Sequence, residues 1–253
     1  MSRNLCTLLL AVAASSMVAQ AQSAASLPDA PTPAPHAVTL RNFAQNFGRD
    51  QAAIWTSPFR LSEGQAAAGL FFVAATGAIG SEDRDFMRHH FLDHTTNDHA
   101  NTASTGLTGI LVATPVAFYG FGLLHHDAHA QQTGLIASEA MVDSLAVNQV
   151  FKIASRRERP TLDDARGKLF QSGVGFDSSF ASNHATVAWS SATVIASRSN
   201  SKWVKLSAYG LATGVSATRI VGRDHFPSDV FAGSAVGWMI GHYVNRHHSH
   251  DIL

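Results

Sequence analysis

Cysteine is nearly absent from this chain: of its 253 residues only Cys6 carries a thiol, so no intrachain disulfide can form and cysteine usage says nothing about redox compartment. Charge is scarce as well. Charged residues make up 14% of the chain, well under the roughly one quarter of an average soluble protein. The 18 Lys and Arg balance the 18 Asp and Glu, and with no basic excess the chain lacks the footprint of a nucleic-acid binder. From about residue 40 onward the β-branched alternation of half-buried strands is scarce too, which favours helices over strands.

What is present begins with a leader. Residues 1–21 carry Arg3, an apolar run over 8–18 and the small-residue ending Ala19, Gln20, Ala21, the charge, core and cleavage pattern of a secretory signal. We expect export with cleavage after Ala21. Cys6 sits inside this leader, too early to follow an apolar core, and is a poor lipoprotein acceptor. Residues 22–40 hold four of the eight prolines among small residues and read as a tether rather than a helix or packed strand.

The remainder, 41–246, reads as one all-α domain, with a His-rich tail at 247–253. Apolar segments rich in Ala, Gly and Ser predict about six helices, near 62–80, 104–124, 135–157, 184–198, 203–220 and 229–246,. Such small residues let helices approach closely in a single bundle. The longest connection, 160–182, is of a length usually reserved for function. Residues 107–124 are uncharged and are a candidate membrane span. However, a cleaved leader followed by six crossings would put the polar clusters discussed next on the cytoplasmic side. A periplasmic bundle, soluble or bound to the membrane surface, avoids that.

Three polar clusters interrupt the apolar pattern. Lys152 precedes Arg159 by seven residues, close to two helical turns, so the two cations are expected on one stripe at the end of the third helix, with Pro160 stopping it. The two could converge on an anion, or, with Arg156 and Arg157, simply complement a helix dipole. Ser182, followed by Asn183 and His184, is a good N-cap for the fourth helix, whose free amides form an anion site. The stretch 218–229 holds Arg219, His225 and Asp229, and an Asp near a His can orient its ring. Helices four and five, as an antiparallel pair, bring the start of four and the end of five together, so the three clusters meet at one end of the bundle.

Lys152 with Arg159 and Pro160, then Ser182, Asn183 and His184, then Arg219, His225 and Asp229 resemble the tripartite signature of the type 2 phosphatidic acid phosphatase superfamily. That superfamily includes bacterial acid phosphatases and vanadium-dependent haloperoxidases. Three positions depart from the usual pattern: Ala181 in place of proline, Asn183 in place of glycine and Thr218 in place of serine. The resemblance implies that His225 attacks phosphorus to form a phosphohistidine while Asp229 holds its ring. Lys152, Arg159, Arg219 and the amides near Ser182 and Asn183 would bind the phosphoryl oxygens, and His184 would protonate the leaving alcohol. It implies no metal, and vanadate as an inhibitor or pseudo-cofactor.

Substrates of this type include phosphatidic acid, a polyprenyl pyrophosphate and soluble monoesters. The competing expectations are a vanadium-dependent haloperoxidase and a non-catalytic envelope protein that binds phosphate or a phospholipid headgroup. Three other histidine groups, at 89–99, 125–129 and 247–250, read as solvated polar stretches without diagnostic metal spacing. Glu139 and Asp143, one turn apart, are expected to face solvent or a basic neighbour.

Overall fold

A computed structural model describes residues 38–89, 94–171, 173 and 175–248. The leader and most of the tether lie outside the described residues. Among the described residues seven α-helices follow one another: α1 Phe43–Thr56, α2 Glu63–His89, α3 His94–His125, α4 Ala128–Ser155, α5 Asn183–Ser197, α6 Lys202–Val221 and α7 Pro227–His248. Short 3-10 turns occur at Ser57–Arg60, Asp163–Ala165 and Gly175–Asp177, and no strand occurs among the described residues. All six expected helices are present, joined by α1. Its sequence mixes Arg49 and Asp50 with amides and aromatics, so it forms no apolar run; its buried residues are the polar Asn46 and Asp50.

The central helix is α5. Eleven of its residues are buried, and α4, α6 and α7 all pack on it. Close approach to α7 is possible because Gly233, Gly237 and Gly241 recur every fourth position along one stripe. A Cβ at Gly233 would lie 2.7 Å from the Ser182 carbonyl, one at Gly241 2.6 Å from the Ser190 carbonyl, and one at Gly237 would land on the Thr186 carbonyl. Thr186 and Ser190 on α5 satisfy their hydroxyls locally, on the Ser182 carbonyl at 2.8 Å and the Val187 carbonyl at 3.0 Å, which lets a small-residue interface carry polar side chains.

Two expectations about the ends are corrected. Val38, assigned to the tether, is fully buried in the core, and its carbonyl accepts from Gln132 Nε2 at 2.9 Å. His247 and His248, assigned to a tail, belong to the last turn of α7, and His248 is buried.

Helices α2 and α3 pack differently from the rest. They are the two described helices long and apolar enough to cross a membrane. Leu70 and Val73 on α2 and Val116 and Leu124 on α3 are 65–81% exposed. At α2's far end lie Asp83 and Met87, its two buried residues. The polar start of α3 meets the end of α6, where Asn101 Nδ2 donates to the Gly222 carbonyl at 3.2 Å. Both helices therefore turn a polar end towards the loops described next and carry their exposed apolar faces away from them.

Candidate functional site

The end of α4 departs from expectation. Arg156 adopts a left-handed conformation with φ 43°, and its N–H closes on the Lys152 carbonyl, so the helix ends at Ser155. Lys152 and Arg159 consequently do not share a helical stripe. The chain beyond α4 instead pairs with the loop, Phe170 N–H donating to Ser155 O at 2.8 Å and Glu158 N–H to Lys168 O at 3.0 Å. A residue before proline is disfavoured in the helical region, and here the helix has already ended at Ser155, four residues before Arg159. Arg159 reaches the site from an extended segment: its guanidinium donates to Asp177 Oδ1 at 2.8 Å and to the Asp224 carbonyl at 3.1 Å.

Residues 178–183 are clamped between α4 and α7. The buried ammonium of Lys152 donates to the Ser178 carbonyl. Arg157 N–H donates to Ser178 Oγ at 2.9 Å, and Ser179 N–H to the Arg157 carbonyl at 2.8 Å. Asn148 Nδ2 donates to the Ala181 carbonyl at 3.0 Å and to Asn183 Oδ1. Ser182 N–H donates to the Asp229 carbonyl at 3.1 Å. Held this way, Ser182 caps α5, its hydroxyl accepting from Ala185 N–H at 3.5 Å. The first-turn amides of α5, which have no intrahelical acceptor, then point out at the same end. Thr218, by contrast, spends its hydroxyl inside α6, on the Gly214 and Val215 carbonyls.

His225 is buried, and its Nδ1 lies 2.7 Å from the Ser179 carbonyl. A carbonyl can only accept, so Nδ1 carries the proton and Nε2 keeps its lone pair. Asp229 does not hydrogen-bond the ring: its Oδ2 is 3.9 Å from Nδ1. It accepts instead from Ser179 Oγ at 2.5 Å and Phe226 N–H at 2.9 Å through Oδ2, and from Arg157 at 2.6 Å through Oδ1. The carboxylate thus acts on the imidazole through space and through Ser179. Burial pushes its carboxyl up, against the opposing pull of Arg157, Ser179 and the Phe226 amide.

Electrostatics join the three clusters. Burial first, then Lys152, Arg159 and Arg219, hold the His225 ring well below the usual histidine range. Burial and the same three cations bring His184 down to about 4. Burial, then Arg159 and Arg219, lower Lys152 to about 8, with Asp229 and Asp177 pulling the other way. Two neutral imidazoles in the field of three cations leave the centre positive, and the balancing charge comes from the rim. Asp224 accepts from Arg219 at 2.6 Å and lies 3.9 Å from Arg159, while Asp177 is 80% exposed on Arg159. These carboxylates occupy arginine donors that an incoming anion could take, bidentately and with stronger charge.

Lys152, Arg159, Ser182, Asn183, His184, Arg219, His225 and Asp229 are therefore brought to one end of the bundle. Several of their partners went unread in the sequence. Arg157 is the hub: buried, it bridges Asp229 and, at 2.8 Å, Asp83 of α2, donates to Ser228 Oγ at 2.8 Å, and lies 4.2 Å over the Phe226 ring. Asp83 also accepts from Ser228 N–H at 3.1 Å, tying α2 to the start of α7. Asp83 and Met87 are one turn apart and both buried; a single polar–apolar pair at that spacing was the signal available. The Ser179 carbonyl offered none, because a backbone acceptor is the same at every residue.

Residues 133–252 match a family model described as the PAP2 superfamily. Comparisons with curated proteins and with solved structures gave no match. The matched segment contains all eight residues above.

Proposed function

Through residues 133–252 the chain belongs to the PAP2 superfamily, whose members act on phosphorylated substrates, and from that premise we propose that it hydrolyses a phosphate ester or pyrophosphate through a phosphohistidine. One observation carries the reading: a neutral His225, its Nδ1–H spent on the Ser179 carbonyl, presents Nε2 where Lys152, Arg159 and Arg219 converge. Phosphoryl transfer needs positioning and charge stabilisation more than covalent help, and three cations with a helix N-terminus supply both.

In the first step the Nε2 lone pair attacks phosphorus and the bond to the leaving oxygen breaks. The alcohol departs with a proton from His184, and the phosphorylated ring, protonated at Nδ1, carries a positive charge that faces Asp229. In the second, water gives a proton to His184 as its oxygen attacks phosphorus; the P–N bond breaks and its electron pair returns to Nε2. An isolated His184 near pKa 4 is a poor acid at neutral pH. A bound phosphate adds negative charge among the cations and restores its proton. These steps use side chains and backbone amides alone, so the chemistry proposed for this site is metal-independent.

A lipid-borne phosphate is the favoured substrate. The exposed apolar faces of α2 and α3 lead away from the site, while their polar ends adjoin it. A chain held against a bilayer by those faces would keep the cradle near the headgroups. An exported, envelope-bound protein fits that arrangement.

The test is turnover by purified His225→Ala on phosphatidate vesicles and on a soluble chromogenic ester, with melting measured alongside. A folded but inactive variant is expected, and wild-type protein should yield a phosphohistidine under alkaline quench. Turnover near wild type in the folded variant would overturn the assignment; activity on the soluble ester alone would overturn the lipid preference.

A further inference from the structure

Well away from the histidines just described, three helices bury a second polar cluster. Asp50 of α1, Glu139 and Asp143 of α4, and His248 of α7 are all buried; of the two expectations for Glu139 and Asp143, solvent or a basic neighbour, the first is corrected and the neighbour is His248. Along α4, Glu139 lies roughly 20 Å from Lys152 at about 1.5 Å per residue, and His248 closes the end of α7 opposite Asp229. The ligand atoms of Asp50, Glu139 and His248 all lie within 4.8 Å of one another.

Glu139 is 0% exposed, and neither carboxylate oxygen makes a hydrogen bond of good geometry, the Asn46 amide of α1 giving its carboxyl only the smallest of the pulls that oppose burial. Asp143 Oδ2 is likewise unpartnered, while its Oδ1 accepts from Gln51 of α1 at 2.8 Å. His248 Nε2 is 2.8 Å from Asp50 Oδ2, the one close contact within the triad. Buried carboxylates without donors are costly, and no Lys or Arg pairs with them among the described residues. Burial holds the carboxyls of both Glu139 and Asp143 up at about 7.

We propose that Asp50, Glu139 and His248 bind one divalent transition-metal ion, best matched by Zn2+, in a structural site separate from the phosphate cradle. The donor set, two carboxylates and an imidazole, suits Zn2+ or Co2+ better than Ca2+ or Mg2+, which favour oxygen alone. Zn–N and Zn–O bonds of about 2.0–2.2 Å place ligand atoms about 3.4 Å apart in a tetrahedron, so three atoms already within 4.8 Å need only small side-chain rotations. The ion takes the place of the proton between His248 Nε2 and Asp50, which leaves to solvent. Asp143 and Gln51 stand behind it, and the site staples α1 to α4 and α7. The proposal is independent of the phosphatase reading, because it uses none of the same residues.

The experiment takes tag-free protein, measures metal content after exhaustive dialysis, and follows melting of chelator-stripped protein on adding Zn2+, with Co2+ visible absorption as a second readout. About one Zn2+ per chain is expected, with Tm rising by about 5–10 °C when Zn2+ stands at about 100 times Kd. Glu139→Gln should lose the stoichiometric ion, the Tm rise and the Co2+ bands, while melting in chelator no lower than wild type, which shows that it folds. His225→Ala should keep all three. Wild-type protein that binds no stoichiometric metal and shows no Zn2+-dependent Tm overturns the proposal. So does a Tm rise that persists undiminished in Glu139→Gln, which would assign the metal to exposed histidines.

Discussion

Replacing Asp229 by Asn keeps the shape of the side chain and removes a charge 3.9 Å from His225 Nδ1. With the ring neutral that charge does little. Once Nε2 takes the phosphoryl group the ring is cationic, and at an effective dielectric constant of about 20 unit charges about 4 Å apart attract by about 4 kcal/mol. The interaction develops along the reaction path, so its loss slows kcat by about 1,000-fold at about 1.4 kcal/mol per decade. The tautomer should survive, because the Ser179 carbonyl still accepts from Nδ1 at 2.7 Å. Stability falls too. Arg157 loses one of its two buried carboxylates, and since the other remains, the low end of the buried-pair range, about 3 kcal/mol, applies. That lowers Tm by about 6–12 °C for a domain of this size. The assay is kcat on a chromogenic ester below the variant's melting range, with phosphohistidine formation followed by alkaline quench. Ser179→Ala is the companion: it removes the 2.5 Å hydroxyl contact to Asp229, keeps the carbonyl, and should slow turnover much less. A folded Asp229→Asn variant within about tenfold of wild-type kcat would refute the through-space role.

Other outcomes follow from the same geometry. The pH dependence of kcat/KM should be bell-shaped: the reacting complex holds one proton, carried by His184, at about 4 in the empty site, or by the substrate monoanion, whose second ionisation lies near ~6. Activity therefore rises with pH through about 4 and falls through about 6, and a profile that stays flat from about 6 to about 8 would contradict it. Asp83→Asn leaves Arg157 without its 2.8 Å partner on α2 and should cost about 3 kcal/mol in chemical denaturation, with turnover at low temperature retained because Asp229 keeps its contact to Arg157; an unchanged denaturation midpoint counts against the hub. Gly237→Ala drives a methyl into the Thr186 carbonyl and should destabilise by about 1–3 kcal/mol, read as a lower Tm; an unchanged Tm would mean α5 and α7 do not pack this closely.

Much of this fold was legible because its helices are separated by polar stretches and carry their own stops. Ser182 caps α5 with its side chain, a local signal; the cap that Ser201 gives α6 and the start of α7 at Pro227 lie within two residues of the expected starts. α1 was not legible, because its buried positions are the polar Asn46 and Asp50, and the partner of Asp50, His248, lies on α7. The end of α4 was misread for a related reason. Nothing near Arg156 announces a left-handed residue, and the turn is held by loop residues 168–171 that return to pair with 155–158.

The sequence by itself determined which side chains could do chemistry here: a spaced set of cations, two histidines and an aspartate, on segments whose order brings them to one end of a bundle. Residue type and local spacing carry that information. Only the tertiary structure decided how those groups are held. It put a backbone carbonyl, and not Asp229, on the ring of His225, and it made Arg157 the link from Asp229 to Asp83, which precedes Arg157 by 74 residues. It also buried Asp50, Glu139 and His248 together. Each of these depends on burial and on partners distant in sequence, and the energy of a charge or a hydrogen bond is set by its surroundings rather than by the residue that bears it.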